Sequence, residues 1–318
     1  MQQRSEIRLS SNMGEGGIIE KFNKVLVIGL GQLGLPVAKY INQRGFETYC
    51  YDVNPAAMDL ANSFGIKKSQ DFSEIDVFVI CISTHRQDDI YSPDTTGLSE
   101  IARKIFNEAK DDALVSIEST VSQGTSRKVF EIMKHRLHVV HVPHRWYSQE
   151  EDVHGVNQLR VIGGINKCCL NQGLEFYGTN SRIVSSADTH VPKNLSIPLH
   201  PVSEIEIAEL TKIIENSYRY VQIAFAEDLY LFCQDKNVNF DELRNALNTK
   251  WNVNVLEARD GIGGHCLPKD AKMFLQSSDA TKSKIVAAAI DVDQDYRRCK
   301  ERENIVLQSK LPEKKLNK

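Results

Sequence analysis

Long apolar runs are missing from this chain of 318 residues. No window approaches the roughly 18 consecutive apolar residues that a membrane-crossing helix needs, and residues 1–21 lack the apolar core of a secretory signal. The chain therefore reads as cytoplasmic, with no membrane partner. Charge of one sign is scarce as well. The 39 Lys and Arg residues stand against 42 Asp and Glu, a formal net charge of −3, so no strong field recommends nucleic acid as a partner. The seven cysteines, at 50, 81, 168, 169, 233, 266 and 299, form an odd set with no CxxC pair. A disulfide framework and a structural zinc site are not expected, which leaves room for a single thiol kept for its reactivity.

With 41% hydrophobic and 25% charged residues, the chain is globular and long enough for two domains. The first stretch, MQQRSEIRLSSNMGEGGII, is polar and Gly/Ser-rich and reads as a mobile leader over 1–22. From Lys24 onward, β-rich runs alternate with helix-length segments: KVLVIG, FETYCYD, DVFVICIS, ALVSIEST and HVVHVP, then LRVIGG and SRIVSS. That alternation predicts a parallel sheet wrapped by helices over 23–200. Prolines 192, 198 and 201 mark a connection, and the character then changes. Neither Gly nor Pro occurs from Val202 to Asp260, and apolar residues at 207, 210, 214, 218, 221, 225, 229 and 232 step by three or four. This predicts a long amphipathic helix opening an all-α domain over 201–300, with a further helix near 283–300 and a polar tail over 301–318.

Two segments carry chemistry. In VLVIGLGQLGLPVA, Gly29, Gly31 and Gly34 have GxGxxG spacing directly after a strand and at the start of a helix. The glycines permit a tight turn, backbone approach to a pyrophosphate and close helix packing, and Gln32 and Leu33 lie within the same cofactor turn. Asp52, at the end of the second strand, is placed to accept from ribose hydroxyls and disfavours a 2′-phosphate, so NAD is the expected cofactor. Thr84, Ser119 and Thr120 sit at carboxyl ends of expected strands, the edge where such sheets bind ligands.

The second segment is GIGGHCLPKD, residues 261–270. Glycines let the loop press its backbone against a ligand, and Lys269 near Cys266 favours a nucleophilic thiolate. A dinucleotide site with a reactive cysteine suggests oxidation through a thiohemiacetal. On the long helix, Lys212 and Asn216 are four apart and share a face about 6 Å along the axis, where both can donate to a developing oxyanion. A solvated face accounts for that spacing equally well. His135, His138, His141 and His144 recur every third residue, but along a strand such side chains face opposite sides, so no metal cluster is expected.

Taken together, GLGQLGLPVA, IESTVSQGT, AELTKIIENSYR and GIGGHCLPKD resemble, in that order, motifs of the UDP-glucose/GDP-mannose dehydrogenase family, over about residues 24–300. The resemblance implies a Rossmann-type doubly wound α/β domain followed by an all-α central dimerisation domain. It also implies a nucleotide-sugar substrate whose C6 alcohol is oxidised twice by NAD, through an aldehyde and a cysteine thioester, to a uronic acid. Cys266 would be the nucleophile, Lys212 and Asn216 would contact oxyanion and substrate, Asp270 and Thr120 would assist the hydrolytic water, and Lys269 would reach the cofactor. The long helix would pair with its equivalent in a homodimer. The GGHC wording resembles enzymes acting on UDP-N-acetylhexosamines such as UDP-N-acetylmannosamine, and LPKD resembles those acting on UDP-glucose.

Two departures stand out. In VPHRWYSQE, His144 occupies the position of the family's acid/base glutamate, and histidine shuttles protons near neutral pH. The family's third domain, which completes the nucleotide site, has no counterpart here, so a separate chain completing that site is one reading. A regulatory or assembly paralogue that binds NAD is a second, and a β-hydroxyacid or 6-phosphogluconate-type dehydrogenase, which shares the Lys/Asn helix pair but needs no cysteine, is a third.

Overall fold

The computed structural model describes residues 21–86, 88–89, 92–146, 150–178, 193–277 and 283–309, with side chains of the last helix through 305. The expected strand SRIVSS and most of the expected leader lie outside the described residues, as does the end of the tail from 310.

Short apolar runs become strands because both of their faces are covered. β1 (Lys24–Ile28), β4 (Val77–Ile80) and β5 (Leu114–Ile117) are almost wholly buried, as continuous β-branched runs in a parallel sheet require. With β2 (Glu47–Tyr51), β3 (Lys67–Lys68), β6 (His138–His141), β7 (Arg160–Gly164) and β8 (Leu199–Pro201) they form a sheet of order β3-β2-β1-β4-β5-β6-β7-β8. Helices α1 (Gly34–Gln43) and α6 (Lys167–Tyr177) contribute Val37, Ile41 and Phe176 to the core on one face. On the other, α3 (Thr96–Glu108) and α4 (Thr125–Met133) contribute Leu98, Ile105 and Val129. Chain order reverses between β1 and β4, the crevice at which doubly wound sheets receive ligands. The short helices α2 (Pro55–Ser63) and α5 (Glu151–His154) complete this domain.

The long helix is α7, Ile205–Lys236. It runs against β7 and packs on α9 (Cys266–Gln276) and α10 (Lys284–Ser309), while α8 (Phe240–Leu247) closes one end. Tyr220, Ala224, Ile262, Ala271, Val286 and Ala289 form the helical core. Glu209 joins the two parts: it is buried and accepts from Gly124 N and Ser126 N, each at 2.6 Å, at the start of α4. Those are backbone donors that a helix cannot satisfy internally.

Three features differ from the sequence reading. β7 runs antiparallel to β6, and the proline-rich connection contains β8, paired in parallel with β7. The tail expected from 301 is helical through Ser309. The apolar stripe of α7, for its part, is largely outside the core. Ile207, Ile214, Tyr218, Phe225 and Phe232 are exposed, whereas Ala208, Ser217, Ala224 and Cys233 are among its buried residues.

Candidate active site

The turn after β1 is held by geometry that only glycine permits. Gly29 has φ +87°, and a Cβ there would lie 2.7 Å from Cys81 O; one on Gly34 would lie 1.7 Å from Gly29 O. Around Gly31, by contrast, an added Cβ meets nothing within 4 Å. The turn is thus tight on its inner side and open on the side from which a ligand approaches. Gly31 and Gln32 are exposed and Leu33 is half-buried, and α1 starts without a side-chain cap, leaving N–H groups for an anion. Asp52 accepts from Leu30 N at 2.6 Å and from Asn54 N at 2.8 Å. Each carboxylate oxygen keeps a second lone-pair direction for a ribose hydroxyl. These residues fit a dinucleotide.

Thr84 and Ser119 build the floor of the same crevice. Thr84 donates to Thr120 O at 2.6 Å and Ser119 to Ile82 O at 2.8 Å, stitching the ends of β4 and β5 together. Beyond them lies a buried cluster whose key member was not singled out from sequence. Glu118, one residue past β5, receives Arg160 Nη1 on Oε1 at 3.1 Å. The Tyr177 hydroxyl also meets Oε1, and His144 Nε2 meets Oε2. Burial opposes ionisation of Glu118, but the His144 and Arg160 contacts and the hydrogen bonds outweigh it and hold the carboxyl down at about 2. Burial, then the Arg160 charge, push His144 down to about 4. Its ring is neutral at pH 7, so the expected near-neutral titration is not found. Nδ1 of His144 has no partner among the described residues. The only sign of Glu118 in the sequence was a lone carboxylate within an apolar run.

The second half of the site is assembled on α7 and α9. Cys266 is exposed at the first position of α9. Gly261, φ +92°, lies against Arg297, and Asp293 accepts from Ile262 N at 2.8 Å while Arg297 donates to Ile262 O at 2.6 Å. In this way α10 fixes the loop that delivers the thiol. Lys269 and Asp270, one turn into α9, are buried as an ion pair, Nζ to Oδ1 at 2.7 Å. Asn216 on α7 donates to Asp270 Oδ2. Lys212, a turn earlier and half-buried, lies close enough to His144 for its charge to lower that ring's pKa. The α7 face therefore joins the cysteine helix through Asn216, and the Lys212 charge is felt at the Glu118 cluster.

A histidine pair links the domains at this point. His265 Nε2 is 3.0 Å from His85 Nδ1, and the two rings meet edge to face. His265 Nδ1 in turn lies 3.9 Å from Cys266 Sγ. Burial lowers the pKa of both histidines, helped by the Lys269 charge. His85 stands in a polar loop with no periodic signal, so sequence reasoning had nothing to find. Beside the glycine loop, a cavity of about 720 Å³ is lined by Arg219, Arg244, Asn254, Arg259 and Gly263. Arg244 is partly used by Val255 O and Leu256 O, and Arg259 by Glu257.

Comparison with known proteins follows the same division. Residues 63–180 match the NAD binding domain of the UDP-glucose/GDP-mannose dehydrogenase family and residues 206–295 match that family's central domain. The UDP-N-acetyl-D-mannosamine dehydrogenase of Methanococcus maripaludis is 27% identical over 295 residues, covering 86% of this chain and 65% of its own length. The Escherichia coli K12 enzyme of the same name is also 27% identical, covering 86% and 69%. The chain thus spans about two thirds of the length of these curated relatives. The structure of the Pyrococcus horikoshii UDP-D-ManNAc dehydrogenase superposes with a TM-score of 0.72 at 24% identity, over 86% of this chain and 68% of that one. A 3-hydroxyisobutyrate dehydrogenase from Mycobacterium tuberculosis superposes at 0.63 and 13% identity, over 87% and 94%. Both likenesses establish the two-domain fold.

Proposed function

The chain belongs to the UDP-glucose/GDP-mannose dehydrogenase family, and from that premise we propose that it is an NAD-dependent nucleotide-sugar 6-dehydrogenase. The substrate is a UDP-N-acetylhexosamine of the UDP-N-acetylmannosamine type, the compound in the names of the curated relatives. The observation that carries the reading is the junction at Cys266: an exposed thiol at the start of α9, one turn from Asp270, which Asn216 of α7 holds. The glycine turn and Asp52 hold NAD, which when bound takes up a hydride in each of two oxidations of the sugar C6.

The protein's own groups do the rest. The Cys266 thiolate adds to the C6 aldehyde carbon, forming a C–S bond and placing negative charge on oxygen. Lys212 and Asn216 donate to that oxygen, the role of fixed donors at a site where charge develops. Once the adduct is oxidised to a thioester, water breaks the C–S bond, releasing the carboxylate and restoring the thiol. Asp270 and Thr120 orient that water. Buried and neutral at pH 7, His144 offers Nδ1 as an acceptor, while Glu118 holds the ring through Nε2. Arginines of the adjoining cavity supply positive charge for the pyrophosphate of the substrate. The exposed stripe of α7 pairs with a second copy.

Incubation of the protein with NAD and a panel of UDP-sugars tests this. Two NADH per sugar consumed, with formation of the uronate, is the expected result. One NADH per sugar with a Cys266→Ser variant equally active points to a hydroxyacid-type dehydrogenase. Tight NAD binding without turnover on any sugar points to a regulatory paralogue.

A further inference from the structure

On the opposite edge of the sheet, at the start of β6 and the first turn of α6, four soft donors meet. Strand alternation predicts that the His135, His138, His141, His144 string is scattered over both faces. That holds for His141 and His144, which turn into the buried sheet. It fails for His135, which precedes the strand in a left-handed turn, φ +57°, next to Lys134 at φ +48°. The turn brings its ring beside that of His138, with centroids 6.2 Å apart. Against them stand Cys168 and Cys169, consecutive in the first turn of α6. One ligand atom from each of His135, His138, Cys168 and Cys169 lies within 4.8 Å of all the others.

We propose that these four side chains form a site for a thiophilic divalent cation of the zinc class. A tetrahedral zinc with two thiolates and two imidazoles places its sulfur and nitrogen ligands about 3.5 Å apart. His135 Nε2 lies 3.4 Å from Cys168 Sγ, and His138 Nδ1 lies 3.7 Å from Cys169 Sγ. Two of the sulfur-nitrogen edges therefore have the right length already, and the remaining pairs, all within 4.8 Å, need to contract by no more than about 1.5 Å. Two thiolates and two neutral imidazoles balance the charge of the cation.

The surroundings support ligation as well. His138 faces Cys169 with Nδ1, and its Nε2 lies 3.9 Å from Asp112 Oδ1. A shift of under about 1 Å would bring that carboxylate to hydrogen-bond distance, where a carboxylate behind a ligating imidazole fixes its tautomer and raises its basicity. Asn166 anchors the other side. Its Oδ1 accepts from Cys169 N at 2.9 Å, capping α6; in the metal-free chain it also accepts from the Cys168 thiol at 2.9 Å, and its Nδ2 lies 3.3 Å from His135 Nε2, two contacts that the cation replaces when it takes the thiolate and the ring nitrogen. Phe130 packs against the His135 ring. His135 and Cys168 are exposed, giving the cation a way in, whereas Cys169 is buried.

The site lies a strand's length from His144 and far from Cys266 in sequence, so its role is to tie the start of β6 to α6 rather than to take part in turnover. The test is titration of the reduced, metal-free protein with Co²⁺ and then Zn²⁺. One Co²⁺ per chain should bind, with visible bands of a tetrahedral ion and a near-ultraviolet thiolate-to-metal band, and one Zn²⁺ should displace it. Zinc in hundredfold excess over its Kd should raise Tm by about 5 °C. Cys168→Ser and His135→Gln change exposed positions and should fold with NAD binding intact, yet lose the thiolate band or weaken Zn²⁺ at least about tenfold. Cys266→Ser should bind Co²⁺ as the unmodified protein does. Absence of stoichiometric binding overturns the proposal. So does an unchanged spectrum in a Cys168→Ser, Cys169→Ser double variant, because the cation would then sit elsewhere.

Discussion

His144 and Glu118 form a buried pair in which a neutral ring faces an ionised carboxylate, with Arg160 neutralising the carboxylate from its other oxygen. Both shifts act in the same direction on stability. Between its ordinary 6.5 and about 4, His144 takes up a proton only when unfolded; between 4.5 and about 2, so does Glu118. The unfolded chain binds more protons in each window, so stability falls as pH falls through them. His144→Gln should flatten the acid slope of Tm between pH 6.5 and 4 and, because the ring also helps hold the Glu118 carboxyl down, should weaken the slope below 4.5 as well. A slope unchanged in that variant would show that His144 titrates normally.

Replacing the anion has a different consequence. Glu118→Gln leaves the Arg160 guanidinium, wholly buried, without its countercharge. Breaking a buried pair by removing one partner costs about 3–5 kcal/mol, although the Arg160 bonds to Val156 O remain. Denaturant unfolding should show a loss of that order. A cost below about 1 kcal/mol would mean that water reaches the cluster.

The cofactor turn separates a folding requirement from a binding requirement. Gly34→Ala forces a Cβ into Gly29 O and should disrupt the turn itself, whereas Gly31→Ala meets no protein atom. The Gly31→Ala protein should keep its Tm to within a degree or two but bind NAD at least about tenfold more weakly, a loss of about 1.4 kcal/mol. NADH fluorescence titration reads this directly. Unaltered affinity would show that no ligand approaches Gly31.

Much of this was legible because the relevant signals are local. A strand, a glycine turn, a helix and Asp52 follow one another along the chain, and local order is what patterning reports. The cysteine loop was legible for the same reason. Glu118, Arg160 and His85 were not, since their significance depends on partners 26, 42 and 180 residues away. The short strand β8 was hidden by its prolines, which an edge position tolerates. The α7 stripe has the helical period that the sequence predicts, but what covers it is not legible there. Periodicity reports that a helix has an apolar side; it does not report whether the chain itself covers that side.

Glu227 provides a test of the helical core. It is fully buried on α7, neither carboxylate oxygen has a partner among the described residues, and burial raises its pKa to about 8, with Asp293 nearby adding to the effect. The folded chain therefore holds a proton that the unfolded chain loses above 4.5, and stability falls as pH rises from 4.5 through 8. Glu227→Gln should raise Tm at pH 9 and change it little at pH 4.5. Equal effects at both pH values would rule out an unusual proton there.

The exposed stripe on α7 is where the second copy should bind. Ile207, Ile214, Tyr218, Phe225 and Phe232 advance by seven, four, seven and seven residues, a spacing that keeps them on one side of the helix over about 37 Å. Tyr218, Phe225 and Phe232 are 65%, 57% and 53% exposed in the isolated chain. A contiguous apolar strip of that length is uncommon on a monomer and marks an interaction surface. Two such helices packed together present the same residues to each other, as a two-fold interface requires. Phe225→Asp puts two carboxylates into the middle of that contact, while the face of α7 toward α9 and α10 is untouched. The variant should run as a monomer in light scattering at micromolar concentration, retain its circular dichroism, and lose activity only so far as the site depends on the pairing. A variant that remains dimeric would place the interface on another surface and leave this stripe unexplained.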